Sequence, residues 1–118
     1  MENLDLNAIS DSVSPQFTGL YDTLMELVGP DLAASYYNAG YDAYKAENYE
    51  TAIANLSKAY QYDNTNVNTL YYLANSYKAN GDLDNAKATY DAVITNFPDT
   101  QSAASAQTKL AEINNSGN

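Results

Sequence analysis

The sequence predicts an all-α fold built as a stack of helical hairpins, and three observations support this prediction. Turn-forming residues recur at a spacing of 34 residues, at Pro30, Asn64 and Pro98. Between these turns, apolar residues recur at positions i, i+3, i+4 and i+7, which is the period of an amphipathic helix. The alternation of apolar and polar residues that is typical of strands is absent from the sequence. A fixed period of this length indicates a chain of repeated hairpins.

The period divides the central part of the chain into two blocks, residues 33–66 and 67–100. Each block predicts a helix, a turn and a second helix. The turns fall at Glu47-Asn48 and at Gly81-Asp82, where residues that suit turns interrupt the apolar pattern. The four predicted helices span residues 33–46, 49–62, 67–80 and 83–96.

A recurring motif of bulky and small residues fills both blocks. In the second block the motif is Leu70-x2-Leu73-Ala74-x2-Tyr77, then Ala86-x3-Tyr90 and Pro98. In the first block it is Tyr36-x2-Ala39-Gly40-x2-Ala43, then Ala52-x3-Leu56 and Asn64. This motif resembles the tetratricopeptide repeat. The resemblance implies two such repeats, residues 33–66 and 67–100, in a right-handed α-α superhelix. Ala43 and Asn64 depart from the usual Tyr and Pro, but Asn also suits a turn.

The small and large residues of the motif have a physical reason. Small side chains allow two helix axes to approach to roughly 8–10 Å, while larger ones fill the space between successive helices. The small positions are Gly40, Ala52, Ala74 and Ala86, and the larger ones are Tyr36, Leu56, Leu70 and Tyr90.

An irregular helical segment precedes the repeats at residues 1–32. Ser14-Pro15 is a typical helix start, and Gly29 a typical stop, so a helix is expected over about residues 15–28. Its apolar stripe is expected to pack against the first hairpin, as a degenerate or truncated repeat would. Packing on a second copy of the chain, and so self-association through this helix, remains an open alternative.

Residues 101–118 predict a C-terminal capping helix and a tail. Asp99-Thr100 can cap a helix from Gln101 to about Ile113, whose outer face is polar. A polar outer face is what the open end of a helical stack needs, because a terminal unit exposes one side to water. All of these segments are expected to form one domain.

Composition excludes several classes of function. The chain has no His, Cys or Trp, and its five basic residues are all Lys. Without imidazole or thiolate groups, no ordinary metal site is expected, and neither a cofactor nor an enzymatic activity is predicted. The net charge of −10 repels nucleic acid and anionic lipid headgroups, so neither nucleic-acid binding nor direct membrane contact is expected. Neutral to basic proteins or peptides remain as partners.

The family resemblance also implies where a partner would bind. Repeats of this kind form a concave groove lined by the first helix of each hairpin. The corresponding positions here are Tyr37, Tyr41, Tyr44, Lys45, Tyr71, Asn75 and Lys78. Tyrosine suits peptide contact, because it offers a large area and a hydroxyl at low entropic cost. The alternative for Tyr37 and Tyr41 is that they merely cover neighbouring helices.

Two functions from different classes follow. The first is a protein–protein interaction scaffold that binds a peptide or helix of a partner in the tyrosine-rich groove. The second is a structural spacer of a larger bacterial envelope protein, with no ligand in the groove, because the sequence is also similar to the C-terminal repeat segments of some membrane-anchored envelope proteins. The compartment follows from neither: a cytoplasmic location and the extracytoplasmic face of a bacterial membrane both agree with the residues.

Overall fold

The computed structural model describes the backbone of residues 15–116 and the side chains of residues 28–116. Within that range the chain folds into five α-helices and contains no strand. The helices are α1 (Pro15–Lys45), α2 (Tyr49–Tyr62), α3 (Val67–Ala79), α4 (Leu83–Asn96) and α5 (Gln101–Ser116). Each helix packs against the next along the chain. The predicted all-α helical-repeat fold is therefore confirmed. The predictions for residues 1–14 and beyond residue 116 lie outside the described residues.

The turns inside the two hairpins have the same hydrogen bonds at a spacing of 34 residues. In the first turn, the amide of Asn48 donates to the carbonyl of Ala43 at 2.8 Å. In the second turn, the amide of Asp82 donates to the carbonyl of Tyr77 at 2.9 Å. This bond closes the end of a helix and satisfies a carbonyl that the helix leaves without a partner. The sequence period thus corresponds to a repeated backbone geometry.

This geometry requires one residue with a left-handed backbone in each turn. Gly81 fills the position with φ of 86°, and Glu47 fills it in the first turn with φ of 63°. A residue with a Cβ atom pays about 1–2 kcal/mol in this conformation, which glycine avoids. The first turn is therefore strained where the second is relaxed.

Replacing Glu47 with Gly is expected to raise the free energy of unfolding by up to about 1 kcal/mol, because the strain is removed and the exposed side chain is lost at little cost. Replacing Gly81 with Ala should lower it by about 1 kcal/mol, and this cost is conformational alone, since an added Cβ meets no atom within 4 Å. Urea unfolding measures both changes. If both substitutions changed the free energy of unfolding in the same direction, the left-handed backbone assigned to these two residues would be contradicted.

The prediction that Gly29 ends the N-terminal helix is wrong. Helix α1 continues through Gly29 and Pro30 to Lys45, so the expected helices over residues 15–28 and 33–46 are one. Proline removes one hydrogen bond from a helix interior and is a strong breaking signal by itself. Here the packing of α1 along α2 compensates for that loss. Gly29 and Ala33 are buried, and a Cβ on Gly29 would lie 3.4 Å from the carbonyl oxygen of Tyr62. Gly29 thus lies at the contact between α1 and the end of α2 and does not end the helix.

The core lies at the positions that the motif predicts. The small residues Ala52, Ala74 and Ala86 have no exposed area, and a Cβ on Gly40 would lie 2.6 Å from Cγ of Leu56. Of the larger residues, Leu56, Leu70 and Tyr90 are buried. Tyr36 is only half-buried, with its ring stacked 5.8 Å from that of Tyr62.

The predicted cap of the last helix is confirmed. Oγ1 of Thr100 accepts a hydrogen bond from the amide of Ala103 at 3.1 Å. Ala103, Ala106 and Ile113 are the buried residues of α5, and Gln101, Ala104, Gln107 and Thr108 are exposed on other sides. The helix therefore packs on α4 through a narrow buried face and has a largely polar outer side.

Candidate tyrosine-lined binding surface

Five tyrosines form a continuous cluster between α1 and α3, which we name the tyrosine cluster: Tyr37, Tyr41, Tyr44, Tyr71 and Tyr72. Tyr72 on α3 is its centre. Its ring lies 4.9 Å from that of Tyr41 and 5.3 Å from that of Tyr44, both on α1. All five side chains are half-buried. Each therefore packs against the protein with one part and presents another to solvent.

The outer members of the cluster extend it along both helices. The ring of Tyr37 stacks 6.0 Å from that of Tyr41, one helical turn further along α1. On α3, Tyr71 meets the ring of Tyr72 edge to face at 5.7 Å and that of buried Tyr90 at 6.2 Å. Edge-to-face and stacked pairs of this kind stabilise by about 0.5–1.5 kcal/mol beyond the area they bury. The rings of the cluster are consequently fixed by contacts within the protein itself.

Lys45 lies at one edge of the cluster. Its Nζ is 4.7 Å from the ring centroid of Tyr41 and 3.6 Å from a carboxylate oxygen of Asp42. Both side chains of the ion pair are largely exposed, so the pair contributes little to stability. The ammonium group instead adds a positive charge above an aromatic face.

Asn75 and Lys78 lie on the same helix as Tyr71 but have protein partners of their own. Oδ1 of Asn75 accepts a hydrogen bond from the hydroxyl of Tyr90. Nζ of Lys78 lies 2.8 Å from Oε2 of Glu112 on α5 and donates a hydrogen bond to it. This contact lowers the pKa of Glu112. Both residues therefore already bridge to neighbouring helices.

The pKa values of three cluster members are raised above the usual value for tyrosine. Burial is the largest cause for Tyr37, Tyr44 and Tyr72, and neighbouring tyrosines add to the rise in each case. For Tyr44 the side chain of Asn75 opposes the rise in pKa. The hydroxyls consequently remain protonated throughout the physiological range, and each can both donate and accept a hydrogen bond.

The structure brings four of the predicted residues together, namely Tyr37, Tyr41, Tyr44 and Tyr71, and places Lys45 at their edge. Asn75 is hydrogen-bonded to Tyr90 on α4, and Lys78 is paired with Glu112 on α5. Tyr72 was not among the predicted residues, although it follows Tyr71 directly. Transferring the family's groove positions singled out one residue and passed over its aromatic neighbour. That all of these residues bind a partner stays a prediction.

The described residues include neither a candidate metal site nor a membrane-spanning helix. No group of three or more His, Cys, Asp or Glu side chains there could hold a metal ion. None of the described helices is long and apolar enough to span a membrane.

Comparison with protein families identifies the repeats. A family model described as Tetratricopeptide repeat matches residues 43–110, which is more than half of the chain. The matched segment begins in the last turn of α1 and extends into α5. No curated protein matches the chain.

Proposed function

Because this chain belongs to the tetratricopeptide repeat family, we propose that it is a scaffold that binds a peptide or helix of a partner protein along the tyrosine cluster. Tetratricopeptide repeats generally mediate protein–protein interactions and are a non-enzymatic fold. In keeping with the family, the chain is proposed to have no catalytic activity. The observation that carries the proposal is the cluster itself, five half-buried tyrosines in mutual contact across two helices.

The chemistry of the cluster suits a protein ligand. Tyrosine is enriched at the energetically dominant positions of interfaces, because its rigid ring covers a large area and its hydroxyl can pair with backbone groups. The cluster rings are fixed by contacts with one another, so little entropy is lost when a ligand settles on them. We expect Lys45, at the edge of the cluster, to contact polar groups of the same ligand. The same role is proposed for Asn75 and Lys78, which follow the cluster residues along α3.

The charge of the chain narrows the class of partner. A net charge of −10 attracts basic segments, leaves neutral ones unaffected and repels acidic ones. In the branch of the family that binds acidic chaperone tails, the positions of Tyr37 and Tyr41 carry Lys and Asn. The aromatic side chains found here do not complement a carboxylate in that way. An acidic tail is therefore not the proposed ligand.

A single substitution in the cluster tests the proposal. Tyr41→Ala is expected to weaken the binding of peptides selected on the wild-type protein by at least about tenfold, the typical effect of truncating a dominant interface residue. The peptides would be selected from a display library of random 12- to 15-residue segments, and their Kd values measured by fluorescence anisotropy. Tyr41 is the cluster member that does not pack against the buried core, so the fold should survive its loss.

Tyr36→Ala is the matched control. Tyr36 is also half-buried on α1, its ring is stacked on another tyrosine, Tyr62, and Nζ of Lys58 lies 5.3 Å from its centroid. It thus has the same kinds of contact as Tyr41 but faces the end of α2 instead of α3. Unchanged Kd values for this variant are expected. The proposed binding surface would be contradicted if the two variants lost affinity equally, or if selection on the wild-type protein enriched no peptide. Either result would favour the alternative function, a structural spacer without a ligand.

A further inference from the structure

A small cavity lies where the first part of α3 meets the middle of α1. Its volume is about 150 Å³, and Pro30, Ala33 and Tyr37 of α1 form one wall. Asp63, which follows α2, and Thr69 on α3 form part of the other. Cofactor and drug-sized ligands occupy about 300–1,000 Å³. The cavity is therefore large enough for one side chain and too small for such a ligand.

Thr69 is a buried polar residue whose hydroxyl has no hydrogen-bond partner among the described residues. Only 2% of the residue is exposed. It lies on the first turn of α3, where no described group donates to or accepts from its side chain. Buried polar groups are almost always hydrogen-bonded, and one that is not costs free energy. Because Thr69 also lines the cavity, a polar ligand atom bound there can supply the missing hydrogen bond.

Asp63 brings a negative charge to the same cavity. Its Oδ1 accepts hydrogen bonds from both the amide and the hydroxyl of Thr65. These bonds lower the pKa of Asp63, so the carboxylate keeps its charge into mildly acidic solution. Oδ2 accepts no bond from any described residue. One carboxylate oxygen of Asp63 is thus hydrogen-bonded within the protein, and the other is available to a ligand.

This arrangement favours an ammonium group over a guanidinium. Arginine binds carboxylates best through two parallel hydrogen bonds, which require both oxygens. Lysine presents a compact charge with three donors, which one carboxylate oxygen, a hydroxyl and a further acceptor can satisfy. Its four-carbon stem also suits a wall made of Pro30, Ala33 and the ring of Tyr37.

We propose that this cavity binds a lysine side chain of the partner segment. Tyr37 connects the two sites, because it lines the cavity and also stacks on Tyr41 in the tyrosine cluster. A segment lying on the cluster therefore has the cavity directly at its end. This inference rests on the proposed function and adds a specificity determinant to it, a lysine at one end of the bound segment.

The test uses the full chain and a small probe, so it does not depend on knowing the partner. The ¹⁵N-labelled protein is titrated with Nα-acetyl-lysine N-methylamide, and backbone amide shifts are followed by NMR. Saturable shifts are expected at Asn38 and at residues 66–69. The norleucine analogue, which has the same stem and no charge, should produce none. Equal binding of the norleucine or the arginine analogue would overturn the proposal.

Two variants locate the interaction. Asp63→Asn keeps the shape and an oxygen for Thr65, and it should weaken lysine binding by about tenfold or more, the usual effect of losing a charge-assisted hydrogen bond. Asp91→Asn makes the same charge change on an exposed part of α4 and should leave the affinity unchanged. Equal effects of the two substitutions would mean that only the overall charge matters, and would overturn the site.

Thr69→Val provides a second, independent variant. It should weaken the binding of the lysine probe. Because the hydroxyl it removes bonds to none of the described residues, it should not lower the free energy of unfolding. Wild-type affinity in this variant would overturn the role of Thr69. The probe reports on the cavity alone, so its failure would leave the result for Tyr41→Ala intact, and the two proposals can fail separately.

Discussion

Tyr90→Ala is expected to lower the free energy of unfolding by about 3–5 kcal/mol, the largest effect of any single substitution proposed for this chain. Tyr90 has no exposed area and is the largest fully buried side chain of the described residues. Truncation leaves a cavity among α3, α4 and α5, which relaxes only in part. It also removes the ring against which Tyr71 packs. Urea unfolding followed by circular dichroism measures the loss.

Tyr90→Phe separates the ring from the hydroxyl. The ring and its packing are kept, but Oδ1 of Asn75 loses its donor, so a smaller loss of about 1–2 kcal/mol is expected. Since Asn75 is a proposed binding residue, this variant should also alter peptide affinity, whereas the fold remains intact. Equal destabilisation by Ala and Phe would mean that the hydrogen bond, and not the packing, stabilises this region.

Gly40→Ala is expected to lower the free energy of unfolding by about 1–2 kcal/mol, although alanine favours a helix interior over glycine by about 1 kcal/mol. The reason is the contact between α1 and α2. An added Cβ would lie 2.6 Å from Cγ and 2.9 Å from Cδ2 of Leu56, and 3.1 Å from its backbone nitrogen. Leu56 has no exposed area, so its side chain cannot move aside without disturbing the core.

Gly29→Ala is the matched control on the same helix. The nearest atom to an added Cβ is the carbonyl oxygen of Tyr62 at 3.4 Å, which is an ordinary contact. This substitution should therefore gain the helix propensity of alanine, and raise the free energy of unfolding by up to about 1 kcal/mol. Thermal and urea unfolding of both variants test the pair. Stabilisation by Gly40→Ala would show that α1 and α2 do not approach each other as closely as described.

Much of the repeat architecture could be predicted because its determinants are local. The bounds predicted for α2 and α4 agree with the structure, and that of α3 differs by one residue. These helices are short, and each is bounded by residues that either cap a helix or permit a turn, such as Asp82 and Gly81. The pattern of small residues, with Ala52 and Ala86 as examples, predicted the close contacts for the same reason: helix packing sets the residue size directly.

The candidate surface could be predicted only in part. Tyr37, Tyr41, Tyr44 and Tyr71 were identified through their positions in the repeat, and the structure places them in one cluster. Tyr72, which holds the cluster together, was missed, because its importance depends on the distance between α1 and α3. The ion pair of Lys78 with Glu112 joins residues 34 apart on different helices, and no local pattern indicates it.

The sequence by itself determined the helical-hairpin repeat, its period, its turns and its small-residue contacts, since each depends on residues close together in the chain. Only the tertiary structure decided that α1 continues through Gly29 and Pro30, because packing along α2 outweighs a local breaking signal. Only the tertiary structure, too, brought Asp63 and Thr69 to one cavity beside Tyr37. Their juxtaposition depends on how the helices pack, and it places both a charge and a buried hydroxyl at the end of the aromatic surface.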